Sequence, residues 1–121
     1  MSGGFKNRAI VTGASRGIGA ACARALSRDG LEVLINYNTS AEKAGALARE
    51  TGGTAYRADV SDFAAVAAMT DSIGGAGVLV VNAGISLVKL LQDTAPEEWR
   101  HIFAVNVDGA YNACHAAIPY M

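Results

Sequence analysis

The sequence predicts an α/β fold in three layers: a parallel sheet of about four strands with helices on both faces. Two observations carry that expectation. Apolar runs alternate with helical patterns along the whole chain, the pattern of strands linked by crossover helices. A glycine-rich turn, Thr12-Gly13-Ala14-Ser15-Arg16-Gly17-Ile18-Gly19, also joins the first apolar run directly to the first helical pattern. Right-handed crossovers in such a sheet give the strand order 3-2-1-4, with the direction switching between strands 1 and 4. At 121 residues the chain fits a single domain, 1–121, and a chain that size buries roughly two-thirds of its unfolded surface.

The elements follow in order. Residues 8–12, with the apolar run Ala9-Ile10-Val11, form the first strand, and the turn opens into a helix over 18–28. Gly30 stands just past it, where a left-handed cap residue is expected. A second strand covers 32–37 and a second helix 41–51, with Ser40 as its N-cap and Gly52 beyond its end. The third strand is 54–58 and the third helix 62–73, capped by Ser61. Its end is blurred by the glycine-rich segment Ser72-Ile73-Gly74-Gly75-Ala76-Gly77. Strand four, 78–82, begins with Val78-Leu79-Val80-Val81, a continuous apolar run typical of a strand buried on both faces. A helix over 96–104 starts with Pro96 at its first position. The last helix spans 106–118. No repeat, linker or low-complexity stretch interrupts the chain.

The glycine turn carries the chemistry. A strand running through glycines into a helix is the geometry that holds a dinucleotide, and it makes the expected fold Rossmann-like. The first glycine permits the tight turn, the second lets backbone approach a pyrophosphate, and the third lets helix and strand pack closely. The helix N-terminus offers unpaired N–H groups and a positive dipole end to the phosphates. A P-loop is excluded because no Lys-Ser or Lys-Thr follows the last glycine.

The spacing Gly-x-x-x-Gly-x-Gly with a leading Thr resembles the short-chain dehydrogenase/reductase family. Three further segments resemble it in the right order. Asp59-Val60 ends the third strand, where the family places an Asp that hydrogen-bonds the adenine amino group. Asn82-Ala83-Gly84 resembles the family's Asn-Asn-Ala-Gly signature, with Val81 in place of its first Asn. Asn106-Val107-Asp108-Gly109 looks like the segment whose Asn belongs to the catalytic tetrad. The resemblance covers essentially the whole chain and is most like the 3-oxoacyl-acyl-carrier-protein reductase type. It implies that Gly13, Ser15, Arg16, Gly17, Ile18 and Gly19 cradle phosphates, that Asp59 and Val60 hold adenine, and that Asn82, Ala83 and Gly84 flank the ribose. Asn106 is the catalytic candidate.

The end of strand 2 bears on which nicotinamide is bound. Sites selective for NAD usually place an acidic residue there, accepting from the ribose hydroxyls. Here the strand ends Ile35-Asn36-Tyr37-Asn38, so Asn36 and Asn38 face the ribose with no carboxylate to repel a 2′-phosphate. Arg16 resembles the family's basic residue for that phosphate, and a guanidinium offers it a planar, bidentate fork. NADP(H) is therefore favoured over NAD(H).

The family's chemistry also needs a Ser and a Tyr-x-x-x-Lys pair. Residues at i and i+4 share a helix face, and the ammonium lowers the phenol's pKa from its free value of about 10. Ala41, Val60 and His115 stand four residues after Tyr37, Tyr56 and Tyr111, and Tyr120 is followed only by Met121. The 121 residues alone should therefore not reduce a carbonyl or oxidise an alcohol. Either they are the cofactor half of a longer reductase, or they form a half-length, non-catalytic nucleotide-binding or self-associating module. A half-sheet is expected to bind nucleotide weakly rather than not at all. Strand 78–82 at a sheet edge and the apolar helix 105–121 suggest a homo-oligomer, since an unpaired edge invites pairing. Relatives bury that helix at a subunit interface.

Composition narrows the rest. The net charge of −1 brings no basic patch for nucleic acid and no charge run for a membrane surface. Apolar runs fall short of the roughly 18 residues needed to span a bilayer. Met1-Ser2-Gly3-Gly4-Phe5-Lys6 lacks the apolar core of a secretory leader. Cys22 and Cys114 have no metal-ligand spacing and read as small, reduced core residues of a cytoplasmic protein. No metal is expected. His101 and His115 read as surface or satisfied helix histidines.

Overall fold

The structure, a computed structural model, describes residues 7–121; the reading of residues 1–6 falls outside them. Four parallel strands form one sheet in the order β3-β2-β1-β4. They are β1 (Arg8–Val11), β2 (Glu32–Tyr37), β3 (Thr54–Arg57) and β4 (Val78–Val80). The helices are α1 (Gly17–Arg28), α2 (Ala41–Thr51), α3 (Phe63–Ser72), α4 (Pro96–Phe103) and α5 (Gly109–Ala117). Register pairs Ala9 with Val33 and with Val78, and Leu34 with Thr54.

Strand alternation sorts the core into two layers. Ala9, Val11, Val33 and Ile35 face α1 and α2, packing with Ala20, Ala23, Ala44 and Leu47. Ile10 and Leu34 point the other way, to Val60, Val66 and Met69 around α3. The central strands β1 and β2 are thus apolar on both faces, as parallel strands must be when helices cover each side. No helix among the described residues is long and apolar enough to cross a membrane.

The helix ends correct part of the sequence reading. Gly30 and Gly52 take positive φ, +91° and +74°, in the expected left-handed positions. Ser40 occupies the N-cap position of α2 but makes no side-chain cap bond. Ser61 is not the cap of α3. Asp62 is, accepting from the Ala65 N–H, while Ser61 turns back to Asp59. Pro96 begins α4 as expected, and Glu98 reaches back to accept from the Ala95 N–H at 2.9 Å. Cys22 and Cys114 are free and only half-buried, so neither is a full core residue. β4 is shorter than expected and only half-buried, because it forms one edge of the described sheet.

The last helix starts earlier than position 106. Ala104–Asp108 form a π-helical turn whose flanking residues keep right-handed helical angles, so α4 runs into α5 without a break. Gly109, Asn112, Ala113 and Ala117 bury one face of α5.

Candidate functional site

The four strands end on one side of the sheet, and a cleft of about 430 Å³ opens there. The turn after β1 supplies Gly13, Ser15, Arg16, Gly17 and Ile18. Asn36, Tyr37 and Asn38 come from the end of β2, Asp59 and Val60 from beyond β3, and Asn82, Ala83 and Gly84 from beyond β4. Every residue expected to hold a nucleotide lines this cleft, except Gly19, which packs beneath it.

The three glycines differ in what constrains them. Gly13 has φ +60°, and a Cβ there would stand 2.8 Å from Ala83 Cα. Gly19 has no room either: a Cβ would lie 2.5 Å from Asn82 Nδ2 and 2.9 Å from Ala14 Cα. Gly17, at φ +61°, has nothing within 4 Å of its missing Cβ. It begins α1 and lines the cleft. Arg16 precedes α1 in extended conformation and gives it no side-chain cap. The first-turn N–H groups of α1 are therefore left to whatever enters the cleft.

A partly buried network sets the turn. Thr12 Oγ1 accepts from the backbone N–H of Asn82 at 2.9 Å and of Ala83 at 3.0 Å. Asn82 Nδ2 donates back to the carbonyls of Thr12 and Gly13, at 3.1 and 2.9 Å. Those four bonds sew the β1 turn to the segment after β4. In the sequence Thr12 is only the leader of the glycine motif, and its position just before Gly13 is the one signal of this role.

Asn36 lines the cleft and also braces its turn. Its Oδ1 accepts from the Gly13 N–H and its Nδ2 donates to the Ala58 carbonyl, both at 3.0 Å. These two bonds tie the turn after β1 to the ends of β2 and β3, and leave one N–H of Nδ2 and one lone pair of Oδ1 uncommitted. Asn38 stays at the rim, its carbonyl accepting from Arg57 Nε at 3.1 Å.

Asp59 Oδ1 accepts from the Ser61 N–H at 2.9 Å and from Ser61 Oγ at 2.7 Å. These bonds, from the hydroxyl first and the amide second, hold the carboxyl below its ordinary range; nearby His101 adds a smaller pull the same way. His101 itself lines the cleft. It is exposed, as expected, but it faces the site. Val60 is anchored from behind: its carbonyl accepts from Asn112 Nδ2 at 2.8 Å.

Asn106 sits in the π-turn and pairs twice with Ile85. The Ile85 N–H donates to Oδ1, and Nδ2 donates to the Ile85 carbonyl, both at 2.8 Å. Ile85 lines the cleft, so Asn106 reaches the site through it. Tyr111 and His115 do not join the site. Their rings stack at 5.2 Å on the exposed face of α5, with Phe63 edge-on to His115 at 5.4 Å.

The family model for short chain dehydrogenase matches residues 7–121. An acetoacetyl-CoA reductase of Paracoccus denitrificans is 38% identical over 111 residues, covering 88% of this chain and 46% of that protein. A 3-oxoacyl-[acyl-carrier-protein] reductase of Staphylococcus aureus (strain Mu50) is 38% identical over 122 residues, covering 93% of this chain and 50% of that one. A solved short chain dehydrogenase from Burkholderia cenocepacia J2315, in complex with NADP, superposes with a TM-score of 0.85 at 37% identity, covering 95% of this chain and 51% of that one. The chain spans about half the length of the curated relatives it matches.

Proposed function

The chain belongs to the short-chain dehydrogenase family, and from that premise we propose that it is the nicotinamide-dinucleotide-binding half of a reductase, with NADP(H) preferred over NAD(H). The observation that carries this reading is the turn at Gly17. Gly17 lines the cleft at an uncapped helix N-terminus, in left-handed conformation and with open space around its missing Cβ. Gly13, Ser15, Gly17 and Ile18 would hold the pyrophosphate there by backbone donors, with Gly19 letting α1 sit close behind.

Asp59 keeps one carboxylate oxygen on Ser61 and has the other for the adenine amino group, while Val60 offers the ring an apolar wall. Asn82, Ala83 and Gly84 flank the ribose on the nicotinamide side. Arg16, at the rim with no carboxylate at the end of β2, is the donor fork for a 2′-phosphate. A bound nicotinamide supplies a hydride to a carbonyl carbon or takes one from an alcohol. In that reaction Asn106 is a positioning residue: through Ile85 it fixes the backbone that borders the reacting end.

By analogy with the two reductases above, the substrate class is a 3-oxoacyl thioester. No Tyr-x-x-x-Lys pair lies within these 121 residues, so the chain alone is expected to bind and not to turn over. Titrating NADPH and NADH by fluorescence tests the first part: NADPH should bind more tightly, and equal or tighter NADH would sink the preference. Steady NADPH oxidation by the chain with an acetoacetyl thioester would sink the second.

A second reading, self-association, rests on one face of the last helix. Val107, Tyr111 and Ile118 are 53%, 62% and 62% exposed, and with His115 they fall at i, i+4, i+8 and i+11, a single stripe. Apolar stripes of this kind mark protein–protein contacts. A second copy of this chain through that stripe, or along β4, is the partner this reading proposes; a constant monomer mass across a wide concentration range in sedimentation would contradict it.

A further inference from the structure

The cleft continues past Arg16. A second groove of about 310 Å³ shares Ser15, Arg16 and Gly17 with it and runs along the seam between α1 and α2 to Arg24, Lys43 and Glu50. Ala20, Ala46 and Leu47 line it between the charged groups.

The charges in the groove are not equivalent. Arg24 is committed to Glu50 by two bonds, Nε to Oε2 at 2.7 Å and Nη2 to Oε1 at 3.3 Å. That pair is neutral as a unit. Arg16 and Lys43 have no carboxylate within ion-pair distance among the described residues. The groove therefore carries two uncompensated positive charges beside the cleft. They come from opposite sides, Arg16 from the turn after β1 and Lys43 from the first turn of α2, which begins just beyond the end of β2.

A phosphate monoester carries between one and two negative charges near neutral pH. It matches a pair of cations better than a single one. We propose that Lys43 is a second cation for the 2′-phosphate of NADP(H), facing Arg16 across it; this rests on the cofactor reading above. Arg16 supplies a planar fork and Lys43 a mobile point charge. Lys43 is thus a specificity-determining residue that distinguishes NADP(H) from NAD(H). No sequence motif singled it out, since a lysine in a polar helix face is ordinarily only solvated.

The test is a set of NADPH and NADH titrations, read by fluorescence or calorimetry, on the chain, K43Q, K43R, R16Q and the R16Q/K43Q double variant. Lys43 is exposed, so K43Q should fold. K43Q is expected to weaken NADPH about fivefold, the effect of one exposed charge pair. NADH should be unchanged, K43R should restore most of the loss, and added salt should shrink it. NADPH binding untouched by K43Q, or both cofactors weakened alike, would overturn the assignment and leave the cofactor reading standing. A chain that binds neither cofactor would overturn both.

Discussion

Gly13 donates its backbone N–H to the side-chain Oδ1 of Asn36 at 3.0 Å, across from β1 to β2. The same side chain donates to Ala58, so three strand ends meet on one amide. Asn36→Leu would keep the volume and leave the Gly13 N–H and the Ala58 carbonyl unpaired in a buried place. We expect a loss of about 2–4 kcal/mol in urea unfolding, together with weaker binding of both cofactors. A loss below about 0.5 kcal/mol would mean that the brace is dispensable.

Gly17 and Gly19 should part company when each is changed to alanine. G19A forces a Cβ into Asn82 and Ala14, and overpacking of that kind costs about 1–3 kcal/mol. G17A meets no neighbour and bears only the left-handed strain of about 1–2 kcal/mol. Yet G17A should lose NADPH affinity beyond anything its stability explains if, as proposed, the pyrophosphate takes the open space beside Gly17. Wild-type NADPH affinity in folded G17A would place the phosphates elsewhere.

Acid should expose the Asp59–Ser61 bonds. Asp59 is held below its ordinary value by Ser61, so the folded state binds a proton less readily than the unfolded one. The stabilisation is present above the unfolded value, about 3.9, and is lost as pH falls through the lowered folded value. S61A removes the hydroxyl bond and moves Asp59 partway back. Urea midpoints of the two proteins should differ most near neutral pH and draw together in acid. Parallel curves would show that the hydroxyl does not set this carboxyl.

Tyr111→Arg places a charge in the middle of the exposed stripe on α5, away from the cleft. If the stripe joins two copies, the variant should sediment as a smaller species at concentrations where the parent is associated. Its NADPH affinity should be unchanged. Identical association in both proteins would move the contact to β4 or remove it.

The sequence was most readable where local rules act alone. β2 and α2 run over the expected residues, 32–37 and 41–51, because a short continuous apolar run marks the strand and Gly52 stops the helix. β4 ends two residues early because the Asn82 N–H is taken by Thr12 Oγ1, a bond made by a residue 70 positions away. Ser61 loses the cap of α3 to Asp62 because Asp59 competes for its hydroxyl. Asn36 also braces Gly13 and Ala58, a role not legible in the sequence, since strand periodicity assigns a face and not a hydrogen-bond partner. His101 belongs to the same class: its exposure was legible, but its view across the cleft depends on how α4 docks. The π-turn at 104–108 left no mark in composition at all.

That turn gives the segment from Pro96 to Ala117 a local tolerance of length. A π-turn holds one residue more than an α-turn in the same stretch of helix. Deleting one residue from 104–108 other than Asn106 would let that stretch wind as a regular α-helix and leave everything after it in phase, with Asn112 still on the Val60 carbonyl and Gly109 still beside Val60 Cγ2. The same deletion inside Gly109–Ala117 would turn every later residue by about 100°. A single missing codon is absorbed at the turn and displaces the last helix only beyond it.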